Sequence, residues 1–431
     1  MFTKSHKIML IEFSVSNFKS IKEEQSLSME TDSGTTHLEN TFQPDDTRLL
    51  KTALIYGPNA SGKTNVITAF HQFRHFILNS TDLKKDEPID CYEPFKLDKS
   101  CRTQPTRFKI TFLGQNNIKY DYEIAFNQKQ VLSEILPSYP EGDEVNVFAR
   151  TQQQVKLGEG FIDKTSVRTK VLENRLFLSE AANNIGDEQL GEIYSYFRKI
   201  EIWNLMNNVV IRALNQTISE ICANDRKLSR KLSRLIRLCD TKIESVIVRE
   251  RNPDEFQLPD DLPQNIRQGF ITQHQYVVKT IHKVYDNGLV IDTQSFDLNE
   301  ESMGTQILYS LGGLILKQFE TGGIVLFDEF NNSLHPKLCR FLISLFHNSK
   351  SNPQNAQLIL ATHETSLLDK YLFRKDQIWF TEKNGLGETE LFSISDFEGI
   401  GDDINFQDWY LAGKFDAQPH IKEIEIIYGD E

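Results

Sequence analysis

Apolar residues near the start of the chain form short runs that predict two strands and a helix. The runs cover residues 8–15 and 52–56, and an apolar helical period follows from near Gly62. A glycine-rich stretch separates the second run from this helix, so the predicted order is strand, turn, helix. The predicted buried face of the helix carries Val66, Ile67, Phe70 and Phe73 or Phe76.

Further along the chain the apolar period changes three times. Alternating residues from about 92 to 150 predict an antiparallel meander. From about 170 to 250 the period is helical, and Pro and Gly almost vanish between Gly191 and Arg251, which predicts a helical insertion of roughly 80 residues. Residues 275–298 read as strands, and residues 301–380 alternate helix and strand as a parallel α/β sheet does.

These patterns together predict an α/β fold with an antiparallel β lobe and a helical insertion. The predicted domains are an N-terminal half of the core at 1–170, an insertion arm at 171–262 and a C-terminal half of the core at 263–431. A softer, proline-containing stretch at 252–263 is the expected exit from the arm.

Composition narrows the possible functions. The chain has 431 residues, with 48 Lys and Arg against 61 Asp and Glu, so its net charge is −13. An apolar fraction of 39% excludes general disorder, and the negative charge excludes binding of polyanions by the whole surface. Any nucleic-acid contact must therefore be a local patch. Without an apolar run of about 18 residues, a soluble, cytoplasmic protein with no membrane partner is expected. Five scattered cysteines predict neither a disulfide framework nor a Cys/His metal site.

Residues 57–64, Gly-Pro-Asn-Ala-Ser-Gly-Lys-Thr, fit the phosphate-binding pattern G-x-x-x-x-G-K-[ST]. Glycines let backbone N–H groups approach phosphate oxygens, Lys63 would neutralise phosphates, and the hydroxyl of Thr64 would bind Mg²⁺. The alternative is a chance glycine loop between a strand and a helix. The predicted phosphate-binding residues of the loop are Asn59, Ala60, Ser61, Gly62, Lys63 and Thr64.

A second apolar strand, residues 323–327, ends in Asp328 and Glu329. A carboxylate at the carboxyl edge of a parallel sheet lies beside a phosphate loop, so Asp328 is the predicted Mg²⁺ ligand. Glu329 is the predicted general base that polarises the attacking water. Without the phosphate loop, the same residues would read as a strand running out into solvent.

Two other positions are candidate anion contacts. Ser302 and Gly304 precede an apolar helix, where they would form either an anion site for a neighbouring subunit or an ordinary helix N-cap. His363 follows the apolar strand at residues 358–362 and would donate to a γ-phosphate, or else be a simple loop histidine.

In this order the motifs resemble those of ABC-type ATPases: Walker A, signature, Walker B, D-loop at residues 331–336 and switch histidine. The opening Asn17-Phe18-Lys19-Ser20 resembles the RecF/SMC/Rad50-like branch. Within that branch, the Ser-x-Gly-Thr signature, the D-loop and the tail at residues 409–415 resemble ATPases of phage-defence operons. These are the RloA-like proteins and the ATPases of the PARIS and Septu systems.

The resemblance implies a homodimer or higher homo-oligomer that binds ATP and Mg²⁺ between subunits. It implies nucleotide contacts from Asn17 and Lys19, catalysis by Glu329, His363 and Lys63, and a cross-subunit contact from Ser302 and Gly304. The sequence departs from the family pattern at Met303 in the signature and at His335 in the D-loop, and no Q-loop glutamine is assigned.

The resemblance also implies a separate effector. Some relatives fuse a TOPRIM nuclease after the ATPase, but residues 370–431 contain no Asp-x-Asp metal-binding pair with an upstream partner. The predicted function is therefore an ATPase that holds and releases, or activates, a separate nuclease in anti-phage defence, with a phage protein or nucleic acid as trigger. The alternatives are a RecF-like repair ATPase that clamps DNA and a scaffold that binds ATP without hydrolysing it.

The helical insertion contains one local charge feature, a basic stripe opposite an apolar stripe. Its function would be to bind nucleic acid or an acidic partner, and the alternative is a solvated helix face. The basic residues are Arg226, Lys227, Arg230, Lys231, Arg234 and Arg237, and the apolar residues are Leu228, Leu232, Leu235 and Leu238.

Overall fold

The computed structural model describes residues 9–159, 170–184, 188–239, 242–256, 258–259, 261–331, 334–401 and 404–415. The strands in this part of the chain are β1 Met9–Ser16, β2 Gln25–Ser28, β3 Thr41–Phe42, β4 Leu49–Leu50, β5 Thr52–Tyr56, β6 Thr106–Leu113, β7 Lys119–Phe126, β8 Val131–Tyr139, β9 Val145–Thr151, β10 Gln154–Leu157, β11 Glu201–Asn204, β12 Ile243–Glu250, β13 Tyr276–Asp286, β14 Leu289–Asp297, β15 Ile324–Asp328, β16 Gln357–Thr362, β17 Ile378–Lys383 and β18 Thr389–Ser393. The helices are α1 Lys63–Asn79, α2 Phe177–Asn184, α3 Glu188–Lys199, α4 Asn208–Asn224, α5 Arg226–Leu238, α6 Gln264–Gln273, α7 Met303–Thr321, α8 Pro336–His347 and α9 Phe406–Leu411.

The chain divides into two compact units. Unit 1 consists of residues 1–202, 322–330 and 344–431, and unit 2 consists of residues 203–321 and 331–343. This division differs from the predicted one, because α2 and α3 belong to unit 1 rather than to the insertion arm.

Unit 1 contains a seven-stranded sheet in the order β10-β9-β8-β7-β6-β1-β2. Neighbouring strands from β6 to β10 pair antiparallel, which confirms the predicted meander over residues 106–157. The preceding residues 92–105 form turns and a short 3-10 helix instead. β1 pairs antiparallel with both β6 and β2, so the first strand of the chain joins this sheet.

A second sheet in unit 1 has the order β15-β16-β5-β17-β18, with β11 beside β15. β5 pairs parallel with β16 and β17, and β15 pairs parallel with β16. The predicted parallel α/β sheet is therefore confirmed. The strands β5, β15 and β16 are fully buried, as expected for a parallel sheet.

Aromatic residues of helix α1 form a core with residues of β6 and α3 in unit 1. The five apolar residues predicted on its buried face are all buried. Phe73 lies 5.6 Å from Phe108 of β6 and 5.7 Å from Phe197 of α3, measured between ring centroids. Because α3 contributes to this core, α3 folds as part of unit 1.

A buried ion pair anchors α2 to the seven-stranded sheet. The carboxylate of Glu134 accepts hydrogen bonds from the backbone N–H groups of Phe177 and Leu178, at 2.6 and 2.9 Å. These N–H groups lie at the start of α2, where a negative charge is stabilised by the helix dipole. Arg150 lies 3.5 Å from the same carboxylate, and both side chains are fully buried. The helical period of α2 could not reveal this anchor, because Glu134 lies on a strand that is distant in sequence.

Unit 2 combines helices with the three-stranded antiparallel sheet β12-β13-β14. Residues 243–250 form β12, so the prediction that the helical insertion reaches 250 is wrong at its end. Helix α5 buries Leu228, Leu232 and Leu235, three of the four leucines of the predicted apolar stripe. The fourth, Leu238, is 66% exposed, and Ile236 is buried as well.

Helix α7 packs against α4 and α5 within unit 2. A Cβ atom at Gly313 would lie 2.3 Å from Cγ2 of Ile218, and one at Gly312 would lie 2.9 Å from Leu235. The two glycines therefore allow the helices to approach more closely than larger residues would. Among the described helices, none has the length and apolar character that a membrane span requires.

The buried side chain of His347 generates a prediction about acid stability. His347 ends α8, is 6% exposed and shares a 2.8 Å hydrogen bond with the hydroxyl of Thr52. Burial, assisted by the nearby charge of Lys51, lowers the pKa of His347 from 6.5 to about 3, although Glu39 opposes this shift. The folded state thus keeps His347 neutral at a pH where the unfolded chain is protonated.

Because the pKa is lower in the folded state, the stability from His347 is present above pH 6.5 and is lost as the pH falls towards 3. We expect His347→Gln to reduce the slope of unfolding free energy against pH in this window by about 1 kcal/mol per pH unit. Urea unfolding at several pH values measures it. The half-exposed His75 supplies the control, His75→Gln. Parallel slopes for wild type and His347→Gln would contradict the assignment.

Candidate active site

Three strands of the parallel sheet bring the predicted chemical groups to one edge. In the register of β16 and β5, Thr362 is paired with Tyr56, and Phe327 of β15 is paired with Leu360 of β16. The carboxyl ends of the three strands therefore meet. The phosphate loop follows β5, Asp328 ends β15, and His363 follows β16.

The phosphate loop has the backbone conformation that its glycines predict. Gly62 has φ 120° and Ala60 has φ 65°, both in the region that favours glycine. A Cβ atom at Gly62 would lie 2.3 Å from the hydroxyl oxygen of Thr389, so no larger residue fits there. Asn59, Ala60 and Thr64 are exposed, whereas Ser61, Gly62 and Lys63 are buried.

The ammonium group of Lys63 is folded against its own loop. It donates to the carbonyl oxygens of Gly57 and Pro58, at 2.8 and 3.1 Å. Burial lowers the pKa of Lys63, and the charges of Glu329 and Asp328 oppose this shift. A buried cation that is hydrogen-bonded to neutral carbonyls is a strong attractor for an anion.

Thr64 and Asp328, the two residues predicted to bind Mg²⁺, lie next to each other. The Thr64 hydroxyl oxygen lies 3.4 Å from a carboxylate oxygen of Asp328. Burial raises the pKa of Asp328, and the neighbouring Glu329 adds to this effect. A cation beside this carboxylate would offset its burial. A hydroxyl and a carboxylate match the hard oxygen ligands that Mg²⁺ prefers, so the residues present fit this ion.

Glu329 and His363 lie in contact at the same edge. Nδ1 of His363 is 2.9 Å from Oε2 of Glu329. Glu329 has φ 57°, a left-handed conformation that is uncommon outside glycine and that concentrates at functional sites. The next residue holds the turn, since the N–H of Phe330 donates to the carbonyl oxygen of Ala361 at 3.2 Å. The structure thus brings together Lys63, Thr64, Asp328, Glu329 and His363.

Tyr56, the last residue of β5, is a part of this edge that no motif in the sequence indicates. Its hydroxyl donates to the backbone carbonyl oxygen of His363. Burial raises its pKa, so the hydroxyl remains a donor. The Tyr56 ring lies 4.8 Å from that of Tyr410, and the Tyr410 ring stacks on Phe380 at 5.7 Å. The tail at residues 409–415 thus packs behind the strand that precedes the phosphate loop.

A chain of hydrogen bonds supports the backbone of the phosphate loop, and the sequence did not predict it. The side-chain amide of Asn65 donates to the hydroxyl of Ser20 at 2.6 Å. The hydroxyl of Ser20 forms the next bond, at 2.7 Å, with the hydroxyl of Thr389. Thr389 donates in turn to the carbonyl oxygen of Ser61 at 2.9 Å. Because a carbonyl only accepts, the direction of every bond in the chain is fixed. Residues from three distant segments are involved, so no local pattern could have revealed it.

Asn17 of the opening motif, a predicted nucleotide contact, makes its side-chain hydrogen bonds to a neighbouring loop. The Asn17 amide donates to the carbonyl oxygens of Cys101 and Gln104, and its oxygen accepts from the N–H of Phe95. These bonds occupy both of its N–H donors, so the geometry gives Asn17 a structural role in holding the 95–104 loop and no donor for a nucleotide. Lys19 forms an ion pair with Glu93 at 3.7 Å and stays a predicted contact.

The signature residues Ser302 and Gly304 lie in unit 2. Ser302 is exposed and precedes α7, and its hydroxyl accepts from the N–H of Thr305 at 3.2 Å. This is the geometry of an ordinary helix N-cap, which was the alternative to an anion site. The start of α7 remains exposed. In the D-loop, Nδ1 of His335 accepts from the N–H of Lys337. Asn332 and Ser333 of the D-loop lie outside the described residues.

A parallel sheet with a glycine loop, a buried lysine and a paired acid at its carboxyl edge defines the core of a P-loop NTPase. The chain belongs to the family described as "AAA domain, putative AbiEii toxin, Type IV TA system", whose model matches residues 53–369. A comparison with curated proteins found no match.

Among solved structures, the chain is similar to an Smc head bound to the C-winged helix domain of ScpA. The identity is 12% and the TM-score 0.43, over 89% of this chain and 97% of that one. For the Smc head of Pyrococcus furiosus bound to the C-terminal domain of ScpA, the values are 9% and 0.43, over 95% and 100%. For the recombination mediator RecF with ATP they are 13% and 0.34, over 84% and 95%.

The hydrogen-bond chain below the loop leads to a prediction for Thr389. Thr389→Val keeps the shape of the side chain but removes its hydroxyl, which leaves the carbonyl of Ser61 and the hydroxyl of Ser20 short of a partner. We expect a loss of about 1–3 kcal/mol in unfolding free energy and weaker binding of ATP. Denaturant unfolding and calorimetric titration measure the two effects. Thr389→Ser, which keeps the hydroxyl, is the control, and equal ATP affinity in both variants would refute the role.

Proposed function

We propose that this protein hydrolyses ATP to ADP and phosphate at the edge formed by β5, β15 and β16. The observation that carries the proposal is the contact between Glu329 and His363, 2.9 Å apart beside the phosphate loop. A carboxylate that is oriented by a histidine and held in a left-handed turn has the arrangement expected of a general base. This supports hydrolysis over the alternative of a scaffold that binds ATP without hydrolysing it.

The proposed chemistry assigns each group a step. Lys63 exchanges its two carbonyl acceptors for phosphate oxygens, and the loop N–H groups surround the same phosphates. Glu329 accepts a proton from water as the water oxygen attacks the γ-phosphorus, and ADP leaves with the electrons of the broken bond. His363 orients Glu329 through Nδ1 before ATP binds, and it donates its N–H to the γ-phosphate once ATP is bound. Mg²⁺, held by Thr64 and Asp328, would supply charge neutralisation.

In the proposed assembly, two copies of the chain bind ATP between them, and the second copy supplies Ser302 and Gly304. The exposed start of α7 supports this, since helix N-termini bind anions. Loss of the γ-phosphate on hydrolysis would remove charge-assisted hydrogen bonds of about 1.5–3 kcal/mol each. That change is large enough to shift the equilibrium between closed and open assemblies by orders of magnitude.

The proposed biological output is control of a separate effector, a TOPRIM-type nuclease, in anti-phage defence. Support comes from the resemblance to defence ATPases and from the family description, which names a toxin and a toxin–antitoxin system. ATP binding would hold the effector, and hydrolysis would release or activate it.

Two substitutions separate nucleotide binding from hydrolysis. Lys63→Ala removes the cation from the loop, so we expect ATP affinity to fall by about 3 kcal/mol or more. Glu329→Gln keeps the shape of the side chain but not its basicity, so we expect tight ATP binding with turnover lowered about 10²–10⁴-fold. Calorimetric titration and phosphate release are the measurements.

The control for Glu329→Gln is Glu24→Gln, the same change at an exposed residue of unit 1. It should leave both binding and turnover unchanged. Normal turnover in Glu329→Gln would remove Glu329 from the role of base. An absence of phosphate release by the wild-type protein would remove hydrolysis itself.

Mixing two inactive variants tests whether the site is shared between copies. Lys63→Ala disables the loop, and Ser302→Arg should block the opposite surface by size. A mixed dimer then contains one intact site, formed by Lys63 of one chain and Ser302 of the other. We expect each variant alone to be inactive and the mixture to recover part of the wild-type phosphate release. Failure to recover, with both variants folded by circular dichroism, would contradict the shared site.

A further inference from the structure

Helix α5 is a concentrated positive surface in an acidic protein. Its thirteen residues include six Lys and Arg and no Asp or Glu, while the whole chain has a net charge of −13. At 3.6 residues per turn, the cations occupy one continuous face of the helix and Leu228, Leu232 and Leu235 occupy the other. Both the sign of the charge and its confinement to one face distinguish α5 from the rest of the chain.

Two described acidic side chains beside α5, those of Asp225 and Glu320, are already engaged. Asp225 accepts from the N–H groups of Lys227 and Leu228 as the N-cap of the helix. Glu320 pairs with Lys231 at 2.7 Å, and among the described residues Lys231 is the one cation of the stripe that forms an ion pair. Within the part of the chain that the structure describes, the other cations of the stripe therefore form no ion pair with a carboxylate.

A groove of about 460 Å³ lies along this face in unit 2. Arg230, Arg234 and Arg237 line it on one side, together with the hydroxyls of Ser229 and Ser233. Strand β12 lines the other side, where Glu244 is the acidic residue of the lining.

The charge of Glu244 is balanced, because it pairs with Lys283 at 2.7 Å. Ser233 accepts from the N–H of Val246 at 2.9 Å, which leaves its own hydroxyl hydrogen for a further acceptor. The groove thus presents guanidinium and hydroxyl donors with a net positive charge.

We propose that this groove, the α5 groove, binds the phosphate backbone of a nucleic acid. Arg230 and Arg234 are one helical turn apart, about 6 Å along the axis, so each is able to contact its own phosphate along one strand. Guanidinium groups recognise phosphates through paired hydrogen bonds, and serine hydroxyls add neutral donors. Recognition of this kind depends on the backbone and not on base sequence.

The same face is poorly suited to an acidic protein. Stable protein interfaces place apolar or aromatic anchors at their centre. On α5 the apolar residues point inward, apart from Leu238 at the last position, which is 66% exposed. Protein–nucleic acid interfaces are instead polar and strongly positive, as the α5 groove is.

The test is a binding titration of the full chain with a fluorescent single strand of mixed sequence and with the matching duplex. Salt is varied from about 50 to 200 mM, because removing one phosphate contact reduces the slope of log affinity against log salt by about one. We expect Arg230→Glu combined with Arg234→Glu to weaken binding about tenfold or more at low salt. The salt slope should fall by about two.

The matched control is Lys84→Glu combined with Lys85→Glu, which makes the same change in net charge at two exposed lysines of unit 1. It should keep most of the affinity and the full salt slope. Unfolding curves and ATP titrations of both double variants show whether the fold is intact, and neither depends on the nucleic acid.

Three results would overturn the proposal. The first is no binding by the wild-type chain at about 50 mM salt. The second is equal weakening in the α5 variant and the unit 1 control, which would mean a general charge effect. The third is polyglutamate competing as well as nucleic acid, which would make the α5 groove a surface for an acidic protein. These titrations need no ATP, so their result can be interpreted even if the protein does not hydrolyse ATP.

Discussion

The parallel pairing of β15, β16 and β5 is the constraint on which the candidate site depends. Parallel strands end at the same edge of a sheet, so the phosphate loop, the acid pair and His363 meet although they are separated by up to about three hundred residues of sequence. A slip of one residue between β15 and β16 would turn the Asp328 side chain to the opposite face. The full burial of these strands makes such a slip costly, because every apolar side chain would be displaced as well.

The buried charges of Lys63 and Asp328 favour the binding of an anion and a cation, respectively. Burial lowers the pKa of Lys63 and raises that of Asp328, so each group is less stable in its charged form here than in water. A triphosphate and a divalent cation would relieve both. The left-handed turn at Glu329 adds a local conformational cost, which the contact with His363 and the bond from Phe330 to Ala361 offset.

The predicted site residues lie in both units. Unit 1 holds the phosphate loop, the acid pair, His363 and the supporting hydrogen bonds. Unit 2 holds the signature helix α7 and the basic helix α5, which pack against each other through Gly312 and the leucines of α5. Helix α5, which carries the proposed nucleic-acid surface, therefore packs directly on the helix that begins beside Ser302.

The sequence alone determined the strand before the phosphate loop, helix α1 with its buried face and the acid strand, because each is defined by residues that are close in sequence. It also predicted which residues would carry the chemistry, since few side chains bind phosphates or Mg²⁺. Only the tertiary structure decided that α2 and α3 belong to unit 1, because the buried contact of Glu134 with the start of α2 joins distant segments. Only the tertiary structure shows that the Asn17 side chain is hydrogen-bonded to a neighbouring loop. The same holds for the hydrogen bond between Ser20 and Thr389 beside the phosphate loop. Such hydrogen bonds depend on which segments the folded chain places side by side, and local periodicity does not encode that.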